Sequence, residues 1–398
     1  MTAIINNIIF KMLSAFLSIA MLFGYSGDFL KADSSDWNTN YKYVFVHGLS
    51  GWGSYDSVYK LMPYWGMFGG DLMKYLDKKG FDCYAASVSP SASAWDRACE
   101  LYAQLTGTVV DYGKAHSESY SHERYGTDYT GRALIDSFSS EDKINLLGHS
   151  FGGATVRLFA SIMEKGAAEE IAATDENELS DFFKGGKGDW IYSITALAAP
   201  HNGTTAYMVD KEDMPEDKID FTGVTNEIQY ALTNLVKVAN GSNTDGRSEK
   251  DFASYDMYID NALELNKNIL TLQHSYYFSI PCSATKHNSD GTHTPEQGRV
   301  ESIFIAASKA MGSYTGVTEK GYVIDESWQE NDGLVNTISA TAPFGAPSKT
   351  FDENSIEKGV WNIMPTYNGD HMSLQGGLMK PNDVKDFYVE HLSMINSL

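Results

Sequence analysis

Cysteine is scarce: Cys83, Cys99 and Cys282 are all that the 398 residues contain. An odd number without a Cys-x-x-Cys pair indicates neither a disulfide framework nor a thiolate zinc site. The three are expected to be small core residues; export would permit one disulfide without demanding it. Basic charge is also short, with 30 Lys plus Arg against 52 Asp plus Glu and a net charge of −22. A surface that negative repels phosphate backbones and anionic lipid, so nucleic acid is not an expected partner. Long apolar runs are missing too. Met12 to Phe23 is too short to span a bilayer, and no other stretch approaches that length, so no integral membrane association is expected. That run follows Lys11 and precedes small and polar residues, which fits the h-region of a secretory signal over residues 1–32. Cleavage after Ser26 and cleavage after Ala32 both fit. The competing reading is an uncleaved amphipathic anchor, because Lys11 is the only positive charge ahead of the run.

What remains is ordinary globular material: 42% hydrophobic and 21% charged residues exclude a disordered chain. From Tyr41 short apolar runs alternate with amphipathic segments. Tyr43 to Val46, Phe81 to Val88, Ile144 to Leu147, Ile191 to Ala198 and Tyr276 to Ile280 read as strands. Trp95 to Leu105, the segment after Ser150 and Val384 to Ile395 read as helices. Strands separated by helices predict a mainly parallel sheet in one α/β domain, residues 36–398. Three stretches look like additions. Asp111 to Tyr129 is polar, aromatic and without clean period. Asp210 to Arg247 carries the stripe Val224, Ile228, Ala231, Leu232, Leu235 and Val236 of one amphipathic helix, and Thr285 to Arg299 reads as a surface loop.

The sharpest local signal is LLGHSFGG, Leu146 to Gly153, where Gly148-x-Ser150-x-Gly152 lies between an apolar strand and a helical pattern. That is the context of the nucleophile elbow, and it predicts the α/β-hydrolase fold. A serine there sits on a strained turn, and side chains at 148 or 152 would collide with neighbouring backbone. The bland alternative is an ordinary turn serine. A serine nucleophile needs a base and an orienting acid, in the chain order Ser, Asp or Glu, His. Only His371 and His391 fall in the last hundred residues. His391 lies in the terminal helix and is expected at the surface; His371, in YNGDHMSL, sits in a turn beyond an apolar segment. For the acid, spacing leaves Asp332 with Asp325 and Glu330 as neighbours in contention. Backbone N–H groups of Leu49, in the turn VHGLSGWG, and of Phe151 are candidates for an oxyanion hole.

With these residues in place the chain resembles the bacterial lipases of the Geobacillus and Staphylococcus type, lipase family I.5. The resemblance runs from Tyr43 to the C-terminus. It rests on HGLSGWG (47–53), WDRACELYAQL (95–105), DYGKAHSESYSHERYG (111–126), GHSFGG (148–153), APHNGTT (199–205), ENDGLVNT (330–337) and GVWNIMPTYNGDH (359–371). It implies Ser150 as nucleophile, Asp332 as acid and His371 as base, with Leu49 and Phe151 at the oxyanion-hole positions. There the family usually has an aromatic and then Gln or Met, and the difference concerns pocket shape because both act through backbone. The resemblance also implies a structural zinc ion held by Asp96, His116, His122 and Asp251. Two carboxylates and two imidazoles suit Zn²⁺, and four protein ligands leave no open catalytic position. Read without the family, Asp96 is equally a helix cap and the histidines equally loop residues.

Two departures stand out. The lid region, around 206–250, is shorter than in thermophilic members, which resembles members from anaerobic bacteria that accept bulky esters and aliphatic polyesters. The family's calcium site is matched by Gly298, but Ser373 replaces its Glu and Leu378-Met379 its Asp-Pro pair, so calcium is not expected unless Asp383 shifts into range. The expected function is a secreted carboxylic ester hydrolase on triacylglycerols or polyesters, at a lipid or polymer interface. A phospholipase or acyltransferase on the same triad, and a catalytically silent surface-binding protein, are the alternatives.

Overall fold

The computed structural model describes residues 32–209, 246–378 and 381–398. The apolar leader and the amphipathic stripe from Val224 to Val236 lie outside the described residues.

Seven strands build the central sheet: β1 Lys42–Val46, β2 Cys83–Ala86, β3 Ile144–His149, β4 Ile191–Leu197, β5 Tyr276–Ile280, β6 Ser348–Thr350 and β7 Trp361–Ile363. Their spatial order is β6-β7-β5-β4-β3-β1-β2, and every neighbouring pair is parallel. Parallel strands need crossovers, and the helices that supply them bury both faces of the sheet. The alternation within β1 shows this division directly. Val44 and Val46 join one apolar cluster with Leu101 and Phe159, whereas Tyr43 and Phe45 join another with Leu76 and Leu392. Period-2 geometry thus sends consecutive residues of one strand to helices on opposite sides.

The helices that matter for the site are α1 Leu72–Lys79, α2 Ala94–Thr106, α3 Lys114–Tyr120, α4 Phe151–Lys165, α5 Ala168–Ala173 and α6 Lys385–Asn396. Helix α2 begins where the Ser93 hydroxyl accepts the Asp96 N–H at 3.3 Å and ends at Gly107, whose φ of 65° is left-handed. It packs with α4 on the Val44 face; α1 and α6 pack on the other.

Some expectations need correction. The strand read as Phe81 to Val88 is confined to Cys83–Ala86, because side chains claim the backbone beyond it. Ser87 N–H donates to Gln104 Oε1 at 2.9 Å, and Val88 N–H meets His47 Nε2 at 3.3 Å. The stretch read as a loop from Thr285 to Arg299 contains a hairpin, Thr285–His287 against His293–Pro295, closed by Asn288 N–H on the Thr292 carbonyl at 2.7 Å. The aperiodic Asp111 to Tyr129 resolves into the α3 helix between two short antiparallel strands, Val109–Asp111 and Tyr125–Asp128. His391 is not at the surface: it is buried, with Nε2 2.8 Å from Thr195 Oγ1. One face of α6 must cover the sheet, and a buried hydroxyl on β4 supplies the polar partner that lets an imidazole sit there.

Candidate active site and metal cluster

Ser150 follows the last residue of β3 and precedes α4, with φ 54° and ψ −128°. A non-glycine residue at positive φ is strained and persists only where its surroundings enforce it. Here neighbouring backbone does so. A Cβ on Gly148 would stand 2.4 Å from the Gly152 carbonyl oxygen, and one on Gly152 would stand 2.3 Å from that of Val46. Serine at this helix-start position ordinarily caps the helix with its hydroxyl. The Ser150 hydroxyl does not; it lies 2.8 Å from Nε2 of His371.

His371 sits in the loop after β7, beside the turn that carries Asp332. Its Nδ1 is 2.9 Å from Asp332 Oδ2. The other Asp332 oxygen accepts N–H groups of Leu334 and Val335 at 3.0 and 2.7 Å, which fixes the carboxylate plane. All three residues are buried. Asp325 is exposed and accepts the Ser327 N–H instead.

Leu49 lies in the loop after β1, and Phe151 opens α4, where the first amides of a helix have no intrahelical acceptor. The amides flanking Leu49 are engaged: Gly48 N–H donates to Tyr64 Oη at 3.2 Å and Ser50 N–H to the Pro90 carbonyl at 2.8 Å. Sequence reading missed what anchors this loop. Arg97, fully buried on α2, donates to the main-chain carbonyls of His47, Gly48 and Ser89 and to Thr155 Oγ1 on α4. One guanidinium therefore joins the loop holding Leu49 to the helix holding Phe151. The signal for it is a charged residue at helical spacing with the apolar Leu101.

Asp96 on α2, His116 on α3, His122 just after it and Asp251 come together as expected. One donor atom from each lies within 4.8 Å of all the others. His116 Nε2 is 3.1 Å from Asp96 Oδ1 and 3.1 Å from Asp251 Oδ1, and His122 Nε2 is 3.3 Å from Asp251 Oδ2. A tetrahedron with metal–ligand bonds of about 2.1 Å has edges of about 3.4 Å; these three separations lie near that, whereas His122 Nε2 stands 3.9 Å from Asp96 Oδ1. His122 Nε2 and Asp251 Oδ2, 3.3 Å apart, are buried without a hydrogen bond among the described residues. Burial opposes charging of His116, yet hydrogen bonds to Asp251 and Asp96 outweigh it and raise its pKa to about 9. Outer contacts orient the donors: His122 Nδ1 meets the Glu123 carbonyl at 2.9 Å, and Glu170 on α5 accepts the N–H groups of Ala115 and His116 at 3.0 and 2.8 Å. Arg247, which the sequence marks only as the end of a stretch, places Nη1 2.8 Å from Asp96 Oδ2 and 3.7 Å from Asp251 Oδ2.

At the positions matched to the family's calcium site, Gly298 and Ser373 line one cavity of about 290 Å³ with Glu301, Asp370 and Asn382. Asp370 already accepts from Glu301 N–H and Ser373 Oγ at 2.7 and 2.9 Å, and Glu301 from Leu378 N–H at 2.8 Å. Asp383 is turned to the N–H of Lys385 at 3.2 Å.

A parallel sheet with a strained strand-to-helix serine facing a histidine and an acid defines an α/β-hydrolase. Within that class the chain belongs to the family described as "Lipase-like, C-terminal domain", whose model matches residues 39–235 and 216–392. It is similar to a lipase of Staphylococcus hyicus, 33% identical over 363 residues, which is 84% of this chain and 53% of that protein. The chain therefore spans about half the length of that curated relative. Among solved structures it is similar to EstA from Clostridium botulinum, with TM-score 0.78 and 31% identity over 94% of this chain and 90% of the other. It is also similar to lipase 1 from Pelosinus fermentans, with TM-score 0.71 and 31% identity over 89% and 98%. The expected kinship with Staphylococcus-type lipases is borne out. No helix among the described residues is long and apolar enough to cross a membrane.

Proposed function

We propose that this protein is a secreted serine carboxylic ester hydrolase that cleaves fatty-acyl esters, triacylglycerols or aliphatic polyesters, through an acyl-enzyme on Ser150. The observation that carries the reading is the unbroken contact from Ser150 Oγ through the His371 ring to the Asp332 carboxylate, at 2.8 and 2.9 Å. His371 Nε2 takes the Ser150 proton as Oγ attacks the ester carbonyl, and Asp332 holds Nδ1–H in place and stabilises the imidazolium. Charge developing on the carbonyl oxygen meets the N–H groups of Leu49 and Phe151 at the N-terminus of α4, whose dipole favours an anion. Imidazolium then protonates the leaving alcohol. In the second half His371 deprotonates water, which attacks the acyl carbon and releases Ser150.

Asp96, His116, His122 and Asp251 would hold zinc, because two nitrogen and two oxygen donors gathered within 4.8 Å of one another suit it better than calcium, which takes six to eight oxygens. The ion would supply cross-linking rather than chemistry, joining α2, α3 and the turn Glu249–Asp251. Residues 1–32 would be the export signal and 36–398 the hydrolase domain.

The test is turnover on esters of increasing acyl length, with and without an emulsified interface, and on an aliphatic polyester film, for wild type and Ser150→Ala. Wild type should hydrolyse esters and Ser150→Ala should lose a factor of roughly 10⁴ or more while staying folded. Comparable turnover by Ser150→Ala would end the proposal.

A further inference from the structure

Behind the nucleophile lies a histidine that the proposed hydrolysis does not use. His149, the last residue of β3, is fully buried, with Nε2 2.8 Å from the main-chain carbonyl oxygen of His371 and Nδ1 2.6 Å from Tyr64 Oη. A carbonyl can only accept, so Nε2 carries the hydrogen and Nδ1 accepts from the tyrosine hydroxyl. The Tyr64 oxygen in turn accepts the Gly48 N–H at 3.2 Å. Burial holds His149 down at about 3 and pushes the Tyr64 hydroxyl up, so each keeps one protonation state at neutral pH.

These bonds join the loop after β1, the end of β3 and the loop holding His371, each at a residue of the catalytic machinery or next to one. Gly48 precedes Leu49, His149 precedes Ser150, and the accepting carbonyl belongs to His371. That carbonyl is one of two main-chain anchors on the base, the other being its N–H on the Asp332 carbonyl at 2.8 Å. With both sides of its α-carbon tied, the imidazole swings from a fixed origin. Packing alone would be served by two apolar rings. Nearby Trp65 contributes such a ring, edge-on to both Tyr64 and His149. Buried polar atoms stabilise only when paired, so a fully paired chain across these three segments selects one arrangement of them.

We propose that Tyr64 and His149 are positioning residues that set the oxyanion loop, the nucleophile and the base in mutual register. The inference rests on the triad reading above. Its test compares Tyr64→Phe, His149→Phe and His149→Gln with wild type and Ser150→Ala, measuring kcat and KM on a soluble chromogenic ester alongside thermal unfolding. Tyr64→Phe removes one oxygen from a ring that keeps its packing. It should lower kcat by about tenfold or more with KM within about threefold, since small misplacements of reacting groups cost rate rather than binding. His149→Phe should lose at least as much, and the two changes combined should lose no more than His149→Phe alone. His149→Gln offers an amide N–H to the His371 carbonyl and an amide oxygen to Tyr64, and should recover most of the His149→Phe loss. Wild-type kcat in Tyr64→Phe, or a folded His149→Gln as slow as His149→Phe, would overturn the inference. Either result beside an inactive Ser150→Ala leaves the triad reading intact, whereas an active Ser150→Ala removes that reading itself.

Discussion

Asp332 holds His371 twice: its carboxylate meets ring Nδ1 at 2.9 Å, and its main-chain carbonyl accepts the His371 N–H at 2.8 Å. The second bond survives any side-chain change, so replacement of the carboxylate isolates its electrostatic and tautomeric part. Asp332→Asn keeps the size and the backbone tie but offers an amide to Nδ1. It should cut kcat by about 10⁴ with little change in melting temperature. Asp325→Asn, at an exposed residue that caps Ser327, should stay within about twofold of wild type. Parallel kinetics on the two variants decide between the acids, and an Asp325→Asn loss equal to that of Asp332→Asn would reverse the assignment.

The metal cluster should act on stability. Protein purified without added metal is expected to contain about one zinc per chain by elemental analysis, and His116→Ala or His122→Ala should lose it. Chelation should lower the unfolding midpoint by several degrees, because metal binding free energy is folding free energy when it joins distant segments. Turnover by the protein still folded should change far less. A metal-free preparation with undiminished stability would contradict the zinc reading.

Acid should destabilise the fold partly through His391. Burial depresses its pKa from 6.5 to about 4, so an unfolded chain binds a proton that the native state refuses. The sign follows: this contribution is complete above pH 6.5 and is lost as pH falls towards 4. His47 and His149, both depressed by burial to about 3, steepen the same limb. His391→Gln should flatten the loss of unfolding free energy across that window by about 3 kcal/mol and leave ester turnover within a few-fold. Chemical denaturation at a series of pH values checks it, and identical slopes for variant and wild type would refute it.

Calcium should have no effect on the unfolding midpoint. Of the positions matched to the calcium site of the relatives, Ser373 donates to Asp370, and Asp383 is engaged by Lys385. Glu301 and Asp370 stand at the same cavity, but Glu301 Oε1 already accepts the Leu378 N–H and Asp370 Oδ2 the Glu301 N–H. A hard cation would have to displace those bonds and recruit further oxygens. Melts with excess Ca²⁺ and with a calcium-selective chelator should coincide; a stabilisation of several degrees at micromolar Ca²⁺ would show that the cavity binds it.

Legibility in the sequence followed how local each signal is. Tyr276 to Ile280 was readable residue for residue, because an apolar run bounded by polar turns needs no partner to be recognised. Gly148 and Gly152 were readable because the elbow forbids side chains there. The strand read from Phe81 overshot at Ser87 and Val88, whose backbone is taken by Gln104 and His47 from elsewhere in the chain. His391 was misplaced because helical periodicity does not announce a hydroxyl on another strand. Arg97, Arg247, Tyr64 and His149 were missed for the same reason: each acts through partners that only the fold assembles.

The most direct measurement is a stopped-flow time course with a chromogenic ester in excess over enzyme. If deacylation limits turnover, wild type should release a burst of about one chromophore per active site before the steady state, and Ser150→Ala should give neither burst nor turnover. Mass spectrometry of acid-quenched enzyme should then find the acyl group on Ser150. Steady turnover with the acyl group on another residue, or a burst that persists in Ser150→Ala, would contradict the account.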